Sequence, residues 1–286
     1  MRPFLLLVLT AAVAHAAIAP EKIASVRSLL LSHKIAAAES EANALVAASP
    51  AEPEPYLLLG SVEIAKGDAD AAVAAYEKAA GLAPGNGDYQ RQLGDAYGFA
   101  AQKAGMFSMI GLAKKCRIAY EKAVELEPAN LNARNSLMTY YQQAPGIAGG
   151  GMDKAYAQAA EMKKLDAVRG RVAYATLYAA EKKYAEAFAE FDAVLKDAPD
   201  NYLALYQYGR LAALTGQQID RGMASLQKCL TLPPPTGTPG HEAANWRLGN
   251  LWEKKGDKAA ARAAYQAALA INPGFQQAID SLKKLD

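Results

Sequence analysis

The sequence predicts an all-α fold of stacked antiparallel helix hairpins finished by a C-terminal cap helix, and three observations predict it. Apolar residues recur at helical rather than strand spacing, as in Leu248, Gly249 and Trp252 and again in Ala261, Tyr265, Ala268 and Leu269. A two-helix pattern closed by proline returns along the chain. Pro50 and Pro84 stand 34 residues apart, a period that belongs to stacked helical hairpins. The tail FQQAIDSLKKLD sets Phe275, Ala278, Ile279 and Leu282 on one face and charges on the other, as a helix covering the end of a stack would.

The elements follow in order. Ala38, Ala42, Leu45 and Val46 before Pro50 predict the second helix of a hairpin near 19–52. Leu59 and Gly60 before a turn at Gly67, then Ala72, Tyr76, Ala79 and Ala80 before Pro84, predict a complete hairpin over 53–86. Leu93, Gly94 and Tyr97 open a third over 87–130, and a fourth spans 131–167 without a closing proline. Ala187, Phe191, Val194 and Leu195 before Pro199 mark the fifth, 168–201; Tyr208 and Gly209 before Gly216 mark the sixth, 202–236. The seventh, 237–275, is the clearest. Gly249 and Ala261 lack bulk, so two helices can approach closely, Trp252 and Tyr265 fill the space beside them, and Pro273 ends the second helix. The cap helix is expected over 275–286.

The spacing L-G-x-x-W/Y, then A-x-x-x-Y/F-x-x-A, then P resembles the tetratricopeptide repeat, and the resemblance covers nearly all of 17–286. It implies a right-handed α-solenoid whose concave surface is lined by the first helix of each hairpin, and a non-enzymatic protein-interaction scaffold or adaptor with a protein or peptide partner. Two departures stand out. Pro84 to Pro128 exceeds the period by ten residues, around QKAGMFSMIGLAKK, and the fourth repeat carries QQAPGIAGGGMDK at the same turn. The two insertions, 103–115 and 144–151, are expected as neighbours on one edge of the stack. PPPTGTPG reads as a rigid connector.

Projection at 100° per residue away from the helix seams gives the candidate groove. It comprises Arg91, Gln92 and Asp95 with Asp88, then Asn132, Asn135 and Thr139 with Ser136, Gln142 and Gln143. Further along come Tyr206 and Arg210, then Trp246, Arg247 and Asn250; Leu57, Leu58 and Ile64 project from the 53–86 hairpin. The uncharged polar row suits hydrogen bonding to a peptide backbone, and Tyr, Trp and Arg supply anchors. Trp246 has a second expected position, packed on a neighbouring repeat. Family members grip a partner's C-terminal carboxylate with Lys, Asn and Arg; Asn135 and Arg91 resemble two of these positions, but the lysines are missing and that specificity is not expected. A secondary surface is formed by Met106, Phe107, Met109 and Ile110 above Lys103, Lys114 and Lys115, either exposed to a partner or membrane surface or folded over its own helices.

The 31 Lys and Arg balance 29 Asp and Glu and are scattered, which argues against nucleic acid as a partner. MRPFLLLVLTAAVAHA reads as a secretory signal cleaved after Ala16, with an apolar run too short to span a bilayer. The expectation is an exported protein, periplasmic or extracellular, with no integral span; peripheral association with the envelope stays open. The Ala-rich signal and the lack of an N-x-S/T site favour a bacterial source. GIAGGGMDK lacks the Gly-Lys-Ser/Thr and the preceding strand of a phosphate loop and reads as a flexible connector. There is no HExxH, GxSxG, CxxC or EF-hand pattern, and beyond Ala16 the only histidines are His33 and His241. No catalytic residue, metal site or cofactor is expected. Cys116 and Cys229 are three repeats apart, at least roughly 20 Å at ordinary helix spacing, beyond the ~7 Å reach of a disulfide; two buried free thiols are expected. Two other readings remain: a structural or assembly subunit acting through its convex face, and a small-molecule or enzymatic site beneath the insertions, lined by Met106, Phe107 and Ile147.

Overall fold

The computed structural model describes residues 18–235 and 238–285, so the signal segment and its Ala16 cleavage site lie outside the described residues. Local chemistry sets where the helices start and stop. Asp68, Asn86, Asn130, Asp166, Asn201 and Asp257 each cap a helix by accepting a backbone N–H of the first turn at 2.9–3.0 Å, worth about 1 kcal/mol apiece. Pro20 and Pro53 begin helices, where the missing N–H is not needed. Gly67 and Gly216 end helices at φ of 85° and 73°, a conformation that residues with a Cβ resist.

The fold is all-α and of the helical-repeat solenoid class, built of antiparallel hairpins with a C-terminal cap helix; among the described residues there is no strand. Two compact units meet in the chain at Gly150. The first contains α1 (Pro20–Leu31), α2 (Ile35–Ala48), α3 (Pro53–Lys66), α4 (Ala69–Leu82), α5 (Gly87–Lys103), α6 (Met106–Leu126), α7 (Leu131–Gln143) and a 3₁₀ turn at Gly146–Ala148. Within it α1, α3, α5 and α7 touch in sequence as one layer, with α2, α4 and α6 packed behind. The second contains α8 (Met152–Leu165), α9 (Ala167–Ala180), α10 (Tyr184–Asp197), α11 (Tyr202–Thr215), α12 (Ile219–Cys229), α13 (His241–Lys254), α14 (Lys258–Ile271) and α15 (Gln276–Leu285). Its core runs through Tyr208, Leu226 and Leu251, and its last layer sets Tyr265 and Ala268 against Ala278 of α15. The helices of the 131–167 segment divide between the units: α7 closes the first, while α8 packs on α9 through Gly170, whose missing side chain leaves room for the Lys163 backbone.

One seam recurs. A methyl group on Gly60 would lie 2.6 Å from the Tyr76 ring, and one on Gly94 would lie 2.5 Å from Tyr120; Gly249 sits equally tightly against Tyr265, and Gly209 against Leu226. The glycine therefore lets a large side chain of the second helix lie across the first. The same register explains the cysteines. Cys116–Tyr120–Ala123 repeats Ala72–Tyr76–Ala79, and Gly222–Leu226–Cys229 repeats it again, so both thiols occupy small-residue slots. Both are free and buried, and burial pushes the Cys116 thiol up to about 12, far from a reactive thiolate.

The first insertion is helical. Helices α3 and α4 have 14 residues each, α5 has 17 and α6 has 21, so the ten extra residues lengthen both helices and leave only Ala104 and Gly105 between them. The reason lies in the spacing: Met106, Met109, Ile110, Ala113 and Cys116 continue the apolar stripe of α6 backward by two turns. The second insertion is a built turn. Pro145 leads into the 3₁₀ turn, the Tyr140 hydroxyl donates to the Ala148 carbonyl at 2.8 Å, and a side chain at Gly150 would strike the Ala144 carbonyl.

Candidate partner-binding site

The site in the first unit grows out of the seam. Because Gly94 lets Tyr120 cross α5, the Tyr120 hydroxyl emerges on the far face and donates to Asp95 Oδ1 at 2.7 Å. Arg91, one turn earlier on α5, donates to Asp88 Oδ1 at 2.9 Å and to Asp95 Oδ2 at 2.7 Å. The same geometry at the preceding hairpin brings the Tyr76 hydroxyl to Ser61 Oγ at 2.9 Å. The apolar walls around Asp95 raise its carboxyl above the usual value, while Tyr120 and Arg91 oppose the shift without cancelling it.

Asp95 stands at the head of a cleft of about 520 Å³ between α5, α6, α7 and the 3₁₀ turn. Met109, Ile110 and Ala113 of α6 form one wall. Asn135, Ser136, Thr139 and Gln143 of α7 form the other, with Tyr120, Cys116 and Tyr140 on the floor and Pro145 and Ala148 at the end. A smaller cleft of about 380 Å³ lies on the other side of Asp95, between α3 and α5, and includes Ile64, Arg91, Gln92 and Phe99. Two surfaces expected to be separate, the polar groove row and the insertion tip, thus meet in one place. The cleft offers hydrogen-bond donors and acceptors on one side, an apolar wall on the other and one carboxylate already held by two partners. That arrangement suits binding of a chain with alternating polar backbone and apolar side chains.

Not every expected groove residue faces the groove. Leu57 and Leu58 are buried in the first unit, and Tyr206, at 5% exposure, belongs to the core of the second. The reason is that an inner helix has neighbours on both flanks, so positions turned away from its own hairpin partner can land on the adjacent repeat. Trp246 takes the second of its expected positions: its indole donates to Ser281 of the cap helix at 3.0 Å and meets Phe275 edge-on at 6.0 Å between centroids. Arg210, Arg247 and Asn250 stay partly exposed in the second unit. Asn132 is exposed but does not line the cleft, and Met106 and Ile147, at 76% and 68% exposure, lie outside it. The Phe107 side chain lies outside the described residues. Tyr120, Cys116 and Tyr140 line the cleft without being among the expected groove residues; the first two are readable from the repeat, because Cys116 stands where other repeats carry alanine in the pattern that ends at Tyr120 and Ala123.

Among the described residues no group of three His, Cys, Asp or Glu is placed to hold a metal ion, and no helix is long and apolar enough to cross a membrane. Hairpins of paired helices joined through glycine–aromatic seams define a helical-repeat protein. The chain carries tetratricopeptide repeats: profiles of that repeat match residues 23–87 and 243–284. No curated protein matches its sequence. The fold is similar to a tetratricopeptide repeat protein from Parabacteroides merdae, with a TM-score of 0.60 and 18% identity over 93% of this chain and 98% of that one. It is also similar to a thermophilic TPR protein of Thermus thermophilus, TM-score 0.51, 18% identity, 74% of this chain and 99% of the other. Human IFIT1, solved as a dimer with m7Gppp-AAAA, aligns at TM-score 0.60 and 17% identity over 94% of this chain and 63% of its own. At such identities the likeness is one of fold.

Proposed function

We propose that the protein is a non-enzymatic scaffold of the bacterial cell envelope, exported through residues 1–16, that binds an extended segment of a partner protein along its inner helices. Repeats of this family generally mediate protein–protein interaction, which supports the coarse reading. The observation that carries the finer one is the cleft beside Asp95, where the uncharged row Asn135, Ser136, Thr139 and Gln143 faces Met109 and Ile110. The row hydrogen-bonds the partner backbone, and the Met109–Ile110 wall receives an apolar side chain.

Affinity capture from envelope extract tests this, comparing the parent with an Asn135→Ala, Thr139→Ala, Gln143→Ala variant of unchanged helical circular dichroism. The expected result is a protein retained by the parent and lost by the variant. Equal capture by both removes the cleft from the account, and recovery of the protein in the cytosolic fraction removes the envelope.

A further inference from the structure

In the second unit several cations are neutralised by a carboxylate. Arg221, Lys228 and Lys255 each meet an aspartate at 2.6–2.7 Å, and Arg171 meets Glu190 at 2.8 Å. Arg210 of α11 and Arg247 of α13 have no carboxylate within ion-pair distance among the described residues, although α11 and α13 pack against each other. Helix α11 itself carries no acidic residue. Burial lowers the pKa of Arg210, and the like charge of Arg247 lowers it further. An unneutralised, partly buried cation beside another is an unfavourable arrangement that an anion relieves.

Both side chains are held ready. Arg210 Nε donates to Gln207 Oε1 at 2.6 Å. The Arg247 guanidinium lies 4.0 Å from the Trp246 ring centroid, and Trp246 is fixed in turn by Ser281 and Phe275 of the capping region. Arg247 Nε is buried without a hydrogen-bond partner. Gln207 uses only its oxygen here, and Asn250 donates its amide nitrogen to the Trp246 carbonyl, which leaves one amide donor and one amide acceptor beside the pair. We propose that Arg210 and Arg247 bind carboxylate side chains in an acidic segment of a partner protein.

The guanidinium fork matches a carboxylate edge to edge, and the spare amide groups match a peptide backbone. Both arginines project from the middle of 14-residue helices, so no helix N-terminus adds the amide donors that commonly hold a free phosphate. The inference rests on the scaffold reading only in taking the ligand to be a peptide.

The test follows the arginine Nε–Hε resonances of the ¹⁵N-labelled full chain during titration. The probes are an N-acetylated, C-amidated peptide with two glutamates, its glutamine counterpart, a neutral peptide with a free C-terminal carboxylate, and inorganic phosphate. The expected result is saturable shifts at Arg210 and Arg247 with the glutamate peptide alone, weakened about tenfold by Arg210→Gln or Arg247→Gln and by added salt. Arg210→Gln should hold or raise the thermal midpoint, which separates a recognition role from a structural one. Equal response to the glutamine peptide, or binding unchanged in the arginine variants, overturns the site. Phosphate or the free C-terminus binding as well as the glutamate peptide overturns the assigned ligand, while the capture experiment on the first unit is decided independently.

Discussion

The inner faces of the two units use the same repeat and settle their charges in opposite ways. In the first, Arg91 lies between Asp88 and Asp95, Tyr120 holds the second oxygen of Asp95, and what remains for a partner is an uncharged row beside an apolar wall. In the second, Arg210 and Arg247 keep their charge unanswered while Arg221, Lys228 and Lys255 are each paired with an aspartate. The seam glycines are shared and the residues one turn away are not. The seam therefore fixes the fold, and the neighbouring turn of each inner helix fixes what that face recognises.

The largest expected effect comes from cutting the seam that the two faces share. Tyr120→Ala removes a ring packed across Gly94 and should cost about 3–5 kcal/mol in urea unfolding. Tyr265→Ala, at a fully buried ring, should match it; a loss under 1 kcal/mol at either site would break the claim that the seam is common to both units. Gly94→Ala adds a methyl group 2.5 Å from Tyr120 and should cost about 1–3 kcal/mol, less whatever alanine's better helix propensity returns.

Tyr120→Phe keeps the ring and removes only the hydroxyl that reaches Asp95, so about 1.5–3 kcal/mol is expected. It should also raise the Asp95 carboxyl further, because that hydroxyl lowers it in the parent. The sign of the pH effect follows. With a folded pKa above 3.8, Asp95 binds its proton more tightly folded than unfolded, so its contribution to stability grows as pH falls through the raised midpoint toward 3.8. Carboxyl ¹³C titration checks this, and a midpoint below 3.8 contradicts it. The smallest effect belongs to Arg91→Met, whose partners are nearly half exposed; a cost of about 1 kcal/mol or less is expected.

The fold was legible because its determinants are local. Proline stops, Asp and Asn caps and the glycine–aromatic spacing are all readable in one dimension, and the cap helix shows its two faces in ten residues. The extension of α6 is equally local, since Met106, Met109, Ile110 and Ala113 carry the helical period. The cleft was legible only in part. Asn135 and Thr139 followed from helix geometry, whereas the convergence of Asp95, Met109 and Gln143 depends on how three helices pack. Tyr206 shows the limit of projection from a single helix: its burial is decided by a neighbouring repeat that a helical wheel does not contain.

The central claim is that a partner segment lies in the Asp95 cleft, and the most direct measurement is site-specific photo-crosslinking in envelope extract. A benzoylphenylalanine is placed at position 139, which lines the cleft, and in a second preparation at position 118, an exposed position of α6 outside it. The account predicts one protein crosslinked at 139 and absent at 118, with attachment mapping to a contiguous partner segment. Crosslinks of equal yield at both positions, or at 118 alone, would contradict it.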